Sequence, residues 1–273
     1  KTIKWYQEAG LIGDASSSGT SDHGMLPALQ IDPQLTAQIE PFDTFWEAPE
    51  NIEKGFAKFQ KFYQRNYFHH LPPDKGSRIL VISCGTGYFV ESLRNAGYRN
   101  VMGIDSDAAK VEYAVGLGLD CRHVNAFPFL EGSAGQAPFD IIVAEQEVNH
   151  LTKPEIIRFL NLCHSNLATG GRLFIHALNG ANPVTGAEAL AQNFDHYNTF
   201  TEYSLKQVLF RAGFNPVRVV PLNLYIFYEN PLNYIGLVLD KFLNFCFRMA
   251  FVSYGKHNKL FSKKIAAIAV KQA

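Results

Sequence analysis

The sequence has no excess of charge of either sign. Its 25 lysine and arginine residues balance 25 aspartate and glutamate residues over 273 positions, so the formal net charge is zero. Proteins that bind nucleic acid usually carry an excess of basic residues, so no nucleic-acid partner is predicted. With 47% hydrophobic residues, the chain has the composition of one globular domain with additions or of two small domains.

Cysteine is scarce, and its spacing excludes two kinds of site. The four cysteines are scattered without a Cys-x-x-Cys pair: Cys84, Cys121, Cys163 and Cys246. We therefore predict reduced thiols in a cytoplasmic protein, with no disulfide or zinc framework. The start KTIKWYQEAG lacks the apolar core of a signal peptide. Charges interrupt every long apolar stretch, so no transmembrane helix is expected.

Strand-like and helix-like segments alternate from residue 78 onward, which predicts a mainly parallel sheet with helices on both faces. The predicted strands are 78–83, 101–105, 121–126, 139–145, 170–178, 215–222 and 263–270, and the predicted helices are 88–97, 107–118, 154–167 and 201–213. An aromatic, helix-like segment at 42–71 precedes them and ends at a Pro-Pro pair. We expect residues 1–75 to form an N-terminal extension with a helical lid, 76–273 the main domain, and 224–262 a helical insertion in it.

A glycine turn follows the first predicted strand in RILVISCGTGYFVESL. Gly85 and Gly87 let backbone approach a ligand closely. Position 90 is Val90 rather than the third glycine of a dinucleotide site, and no Gly-Lys-Ser/Thr of a P-loop follows. Asp105 ends the second strand, where a carboxylate can accept both hydroxyls of a ribose. This pattern favours a nucleoside ligand without a pyrophosphate.

The order CGTG, GIDSD, VNA, FDIIVAEQEVNHL and LATGGRLFIHALNG resembles the class I S-adenosylmethionine-dependent methyltransferases over residues 78–220. The resemblance implies a Rossmann-like sheet of seven strands, the last one antiparallel beside the fifth and sixth. It implies S-adenosylmethionine as cofactor and an enzyme of class EC 2.1.1. The implied cofactor-binding residues are Ser83, Gly85, Gly87, Asp105, Ser106, Asn125, Ala126, Glu145 and Gln146. An acid that is common in this family two residues before Cys-Gly is replaced by Ile82.

Residues 193–214, NFDHYNTFTEYSLKQVLFRAGF, and the tail that follows also resemble bacterial methyltransferases of glycan gene clusters. This resemblance implies O-methylation of a sugar hydroxyl in a glycan or glycoside. The alternatives are an N- or O-methyltransferase of a secondary metabolite and a cofactor-binding subunit without catalysis. A dehydrogenase fits less well, since the third glycine is missing.

Two histidines are candidates for the base that takes the proton of a hydroxyl acceptor, since histidine titrates near neutral pH. His196 lies after the fifth strand, next to Asp195, and His150 lies after the fourth. The competing interpretation is a loop histidine tied to its own backbone for His196, and packing at a helix start for His150. His176 falls within the fifth strand, where it faces either the pocket or the core.

Three further features have competing interpretations. Glu145, Glu147 and Asp195 can gather around a divalent ion, but no spacing requires this, and we predict no metal. Cys84 is expected to be the small residue of the turn rather than a nucleophile. The aromatic stripe of residues 56–68 is expected to pack, with Tyr67, or else Tyr63, reaching the cofactor from the lid.

The segment 234–254, YIGLVLDKFLNFCFRMAFVSY, predicts a largely apolar helix. Asp240, Asn244 and Arg248 form a narrow polar stripe along it. The favoured interpretation is packing on the core or on a second copy in a homodimer. The alternative is a helix whose basic flank, with residues 234–264, makes a peripheral membrane contact near a lipid-linked substrate.

Overall fold

The structure is a computed structural model, and it describes residues 49–145, 147–191, 196–222 and 232–272. In chain order, the helices are α1 (Pro49–Asn66), α2 (Tyr88–Asn95), α3 (Ala108–Gly116), α4 (Ala126–Gly132), α5 (Glu147–His150), α6 (Lys153–Asn166), α7 (Gly186–Ala191), α8 (Glu202–Arg211) and α9 (Leu232–Ser253). The strands are β1 (Arg78–Ile82), β2 (Asn100–Asp105), β3 (Cys121–His123), β4 (Phe139–Glu145), β5 (Leu167–Leu178), β6 (Phe214–Pro221) and β7 (Lys264–Lys271).

The strands form one seven-stranded sheet in the order β3-β2-β1-β4-β5-β7-β6. The pairs among β1 to β5 are parallel, with Ile79 of β1 opposite Val101 on one side and Ile141 on the other. Strand β7 lies between β5 and β6 and is antiparallel to both. The predicted fold class and the antiparallel last strand are therefore confirmed.

Successive residues of the central strands point to opposite faces of the sheet, and each face has its own core. On one face, Leu80 and Ile82 join a cluster with side chains of α4, α6 and α8. On the other face, Ile79 and Val81 join a cluster with side chains of α1, α2 and α3. Because both faces are covered, functional groups are concentrated at the carboxyl edge of the sheet.

Local sequence signals fix where several helices begin. The Asp107 carboxylate caps α3 by accepting hydrogen bonds from Ala109 N and Lys110 N. Thr152 and Glu155 form a capping box at α6, and Thr201 and Ser204 form one at α8. The capped helices follow β2, β4 and β5, whose carboxyl ends lie at the same edge because these strands are parallel.

The structure corrects the predicted third strand. Residues 121–126 were predicted as a strand, but β3 ends at His123 and α4 already begins at Ala126. Pro128, in the first turn of α4, fits a helix start and does not fit a strand. The helices α5 and α7 were not predicted, since 4 and 6 residues are too few to show a period.

The predicted extension of residues 1–75 is described from residue 49 onward, and α1 lies within the predicted helical segment. The predicted insertion 224–262 contains α9. Among the helices of the described ranges, none has the length and apolarity needed to cross a bilayer.

Candidate active site

The loop between β1 and α2 is held in place by the carboxylate that ends β2. Asp105 Oδ2 accepts a hydrogen bond from Gly85 N at 2.8 Å, and Asp105 Oδ1 accepts one from Asp107 N at 2.9 Å. Each oxygen keeps a further lone pair that can accept a bond from a ligand hydroxyl. The predicted partnership of the glycine turn and Asp105 is therefore present as a contact.

The two glycines of the turn meet different surroundings. Gly87 has a φ of +92°, and a Cβ there would lie 2.5 Å from Leu119 Cδ1. Gly85 has a φ of +53°, and no atom lies within 4 Å of a Cβ built there. Gly87 thus serves packing behind the loop, whereas the backbone at Gly85 faces open space that a ligand can enter.

The loop also contains a buried hydroxyl, that of Thr86, which can form a hydrogen bond with a ligand. Thr86 is 4% exposed, and within the described ranges its Oγ1 has no hydrogen-bond partner. A buried polar atom of this kind is usually satisfied in the working protein. The open backbone, the Asp105 oxygens and the Thr86 hydroxyl together fit a nucleoside ligand with hydroxyl donors.

The Cys84 thiol is structural. Its sulfur packs with that of Cys121 over Gly103, where a Cβ would lie 2.7 Å from one sulfur and 2.8 Å from the other. The contact with Cys121 and then burial raise the pKa of Cys84. A thiol held protonated is a poor nucleophile.

Ser83 and Glu147 join the β1 loop to the start of α5. Ser83 is a non-glycine residue with a φ of +56°, and its hydroxyl donates a short hydrogen bond to Glu147. A backbone conformation of this kind is retained where neighbouring contacts fix it. The hydroxyl of Ser83, one of the predicted cofactor-binding residues, is therefore bound to a carboxylate.

Glu145, at the end of β4, belongs to a buried polar cluster. The Tyr63 hydroxyl of α1 donates to Glu145 Oε2 at 2.8 Å. On the neighbouring strand, His176 Nδ1 lies 3.8 Å from Glu145 Oε1, which is too far for a hydrogen bond. His176 therefore faces this cluster, one of the two placements left open by the sequence.

Burial controls the protonation of this cluster. It raises the pKa of Tyr63 well above its ordinary value, and the Glu145 charge raises it further. Burial also lowers the pKa of His176, an effect that the nearby Glu145 only partly offsets and that Lys264 reinforces. The cluster thus holds a neutral tyrosine and a neutral histidine around a carboxylate.

Tyr67 lies in the core, and its contact with the cofactor stays a prediction. Its side chain is 1% exposed and packs against Phe89 and Phe174. Burial and then the Glu145 charge raise the pKa of Tyr67 as well as that of Tyr63. Both tyrosines therefore lie near Glu145, as expected of side chains four residues apart on one helix face, and Tyr63 donates to it.

The two candidate histidines lie side by side. The ring centroids of His150 and His196 are 4.7 Å apart in an edge-to-face arrangement. His196 is 8% exposed, and its Nδ1 lies 2.8 Å from the carbonyl oxygen of Ala189. Because a carbonyl only accepts, Nδ1 is the donor in this contact.

Asn149 holds this pair together, a role that the sequence analysis did not predict. Its Nδ2 donates to Asn198 O at 2.6 Å, and its Oδ1 accepts from Leu178 N at 3.2 Å. Its carbonyl oxygen accepts from Tyr197 N at 2.8 Å. The amide precedes His150 directly in VNHL, which is the only sequence signal for its role.

The remaining predicted residues are distributed as follows. Ser106 contributes its carbonyl oxygen to a contact of 3.0 Å with His123 Nε2. Asn125 is exposed at the start of α4 and Ala126 is the first residue of that helix. Gln146 and Asp195 lie outside the described residues. Elsewhere in the described ranges, no three His, Cys, Asp or Glu side chains gather as a metal site would require.

Comparison with known proteins identifies what this architecture resembles. Residues 52–219 match the family model described as a methyltransferase domain. The chain is 31% identical over 182 residues to a ubiquinone biosynthesis O-methyltransferase of Caulobacter, covering 59% of this chain and 68% of that protein. It is 30% identical to the protein of the same name from Dinoroseobacter shibae, covering 53% and 62%.

Solved structures share the fold at low identity. A methyltransferase of Archaeoglobus fulgidus, described as dependent on S-adenosylmethionine, superposes with a TM-score of 0.59 at 18% identity, covering 83% of this chain and all of that one. A phosphoethanolamine N-methyltransferase of Haemonchus contortus, in complex with S-adenosylmethionine, superposes with a TM-score of 0.52 at 14% identity, covering 86% and 61%.

Proposed function

Because this chain belongs to the methyltransferase domain family, we propose that it transfers a methyl group from S-adenosylmethionine to a hydroxyl oxygen of a small organic acceptor. S-adenosylmethionine is its cofactor, and its activity falls in class EC 2.1.1. The transfer to oxygen is supported by the names of the relatives, which are O-methyltransferases of ubiquinone biosynthesis. The relatives named above do not support the sugar or glycan acceptor predicted from the sequence, so we propose a ring hydroxyl instead.

The proposed cofactor site is the edge formed by the β1 loop and the end of β2. Asp105 would accept hydrogen bonds from the ribose hydroxyls with the lone pairs left by its two backbone donors. The open backbone at Gly85 would receive the methionine portion. When bound, the cofactor supplies a methyl group on a positively charged sulfur, and the protein supplies alignment and a dry site.

The single observation that carries the oxygen chemistry is the pair His150 and His196. Nδ1 of His196 donates to the Ala189 carbonyl, so Nε2 would be the ring nitrogen that takes the proton of an acceptor hydroxyl. His150 packs against the ring edge-to-face and orients it. We propose His196 as the base, and His150 and Asn149 as the residues that position it.

Methyl transfer to the catechol 3,4-dihydroxybenzoate tests this proposal, with formation of S-adenosylhomocysteine as the readout. We expect His196→Ala to lower kcat about 10²- to 10³-fold, and His150→Ala and Asn149→Ala to lower it less. Cofactor affinity, measured by calorimetry, should stay within about twofold of wild type in all three. The control is His164→Ala, because His164 lies in the last turn of α6 against Phe214 at the start of β6, away from the carboxyl edge of the sheet.

Two results would contradict the proposal. Methylation of a primary amine such as phosphoethanolamine, with a rate unchanged by His196→Ala, would indicate an N-methyltransferase, because an amine needs no strong base. Cofactor binding without transfer to catechol, sugar or amine would indicate a cofactor-binding subunit.

A further inference from the structure

Helix α9 carries an apolar face that is open to solvent. The side chains Ile235, Val238, Leu239, Phe242, Phe245 and Met249 are each 52–69% exposed. They recur at spacings of three and four residues, which places them on one side of the helix, called here the outer face of α9. A contiguous apolar surface of this kind marks an interaction site rather than a random exposed residue.

The outer face is exposed because the opposite side of α9 is the one that packs on the protein. The Phe247 and Phe251 rings lie 6.1 Å and 4.7 Å from that of Phe261, which precedes β7. Asp240 and Asn244 line a cavity of about 140 Å³ beneath the helix. The favoured interpretation was packing on the core or on a second copy. One side of the helix packs on the core, and the outer face does not.

The chain that leaves α9 is tied to α8, so the helix is held in one orientation. The Tyr203 hydroxyl donates to the carbonyl oxygen of His257 at 2.8 Å. The buried Glu202 carboxylate accepts a hydrogen bond from Lys259 N at 3.1 Å. The outer face therefore points away from the sheet as a fixed surface.

The charge of this region differs from that of the chain as a whole. The whole chain has zero formal net charge, but residues 241–273 contain seven lysines and arginines and no aspartate or glutamate. Two of them, Lys241 and Arg248, are exposed and seven residues apart, so they border the outer face along one edge. The only acid of α9 is Asp240, which is half-buried on the packed side.

We propose that the outer face of α9 docks on an anionic lipid bilayer, with its apolar side chains in the headgroup and acyl boundary and its basic flank on the headgroups. Apolar residues bordered by lysine and arginine are the pattern of helices that lie in a membrane interface. Nucleic acid would match the charge but not the apolar face. A second copy of this chain would match the apolar face but would bring Lys241 and Arg248 of one copy toward the same residues of the other.

Vesicle flotation tests the docking with phosphatidylcholine vesicles that contain or lack phosphatidylglycerol. We expect wild type to float with the anionic vesicles and to be released by high salt. Phe242→Glu should abolish flotation, while Phe210→Glu, a matched change of an exposed phenylalanine on α8, should not. Lys241→Gln with Arg248→Gln should weaken the partition about twenty- to thirtyfold, since each basic residue near such a surface contributes about fivefold.

Three results would overturn the proposal. Wild type that does not float with either vesicle would exclude it, and so would equal loss of flotation in Phe242→Glu and Phe210→Glu. A dimer seen by light scattering and dissociated by Phe242→Glu, without flotation, would assign the face to a second copy. Methyl transfer to the soluble catechol is measured without vesicles, so failure of the proposed function is separate from failure of docking.

Discussion

The two ends of the carboxyl edge are built in opposite ways. Around β1 and β2, a carboxylate accepts from the loop backbone, and the nearby glycine at 87 leaves no room for a side chain. Around β7, α9 covers a cavity and turns an apolar face outward. At the first end, contacts within the chain hold the loop in place and leave open space beside Gly85 for a small ligand. At the second end, an apolar surface faces outward and can contact a larger partner.

The difference shows how one fold can bind the same cofactor throughout a family and still recognise different acceptors. Binding the same nucleoside requires a backbone held at one distance from a fixed carboxylate, and tight packing supplies this. Recognising an acceptor requires a surface that differs between proteins, and an insertion between the last two strands supplies it without disturbing the sheet.

The largest expected change in these tests of the two ends is a loss of stability caused by substituting Gly87. Gly87→Ala adds a Cβ 2.5 Å from Leu119 Cδ1 at a φ of +92°, and we expect a loss of unfolding free energy of about 3 kcal/mol. Gly85→Ala meets open space, and we expect a loss of about 1 kcal/mol. Urea denaturation measures both, and equal losses would show that the loop is not closed by packing at Gly87.

The next effect is expected in cofactor affinity. In Asp105→Asn, one of the two oxygens that accept backbone hydrogens becomes an amide donor that faces a donor. We expect binding of S-adenosylmethionine to weaken about 30- to 100-fold in calorimetry. Asp120→Asn, an exposed acid paired with Arg122 at 3.5 Å, should leave affinity unchanged. Equal affinity in the two variants would remove Asp105 from the site.

A smaller effect concerns the buried cluster at the end of β4. Burial lowers the pKa of His176 below 6.5, so the unfolded chain takes up the proton first as pH falls. Stability is complete above the unfolded pKa and declines as pH falls from there toward the folded pKa. We expect His176→Gln to flatten this decline in urea denaturation, and His123→Gln, an exposed control, to leave it as in wild type. Parallel curves for all three would show that His176 is not buried as a neutral ring.

The smallest expected change is in the unfolding free energy when a residue on the outer face of α9 is substituted. Phe242→Glu alters a side chain that is 60% exposed, and its unfolding free energy in urea should lie within about 0.5 kcal/mol of wild type. A loss above about 2 kcal/mol would mean that the outer face of α9 packs within the protein. The outer face of α9 would then not be a surface available to a partner outside the chain.

Local signals in the sequence were sufficient for most of the sheet. Short apolar segments between turns predicted the seven strands. The family resemblance predicted that the last strand lies between the fifth and the sixth. The error at β3 arose because an edge strand of 3 residues has little pattern of its own. The contact between the glycine turn and Asp105 could be expected, because both follow neighbouring strands at the same edge of the sheet, and their role in cofactor binding stays a prediction.

The other site residues depend on contacts between distant segments. Tyr63 and Glu145 are 82 positions apart, and Asn149 and Asn198 are 49 apart, so neither pairing has a local signal. His150 and His196 were each proposed separately, and only the folded chain shows that their rings touch. The direction of α9 was undecided for the same reason, because an apolar helix fits a core and a surface equally well from sequence.

The position of β7 has a consequence for how the protein is made. Strand β7 follows β5 and β6 in the chain, yet it lies between them and pairs with both. At a synthesis rate of about 5–20 residues per second, the 93 positions from Leu178 to Lys271 take several seconds. Until β7 has been made, β5 lacks the partner of one edge, and an unpaired edge can pair with another chain.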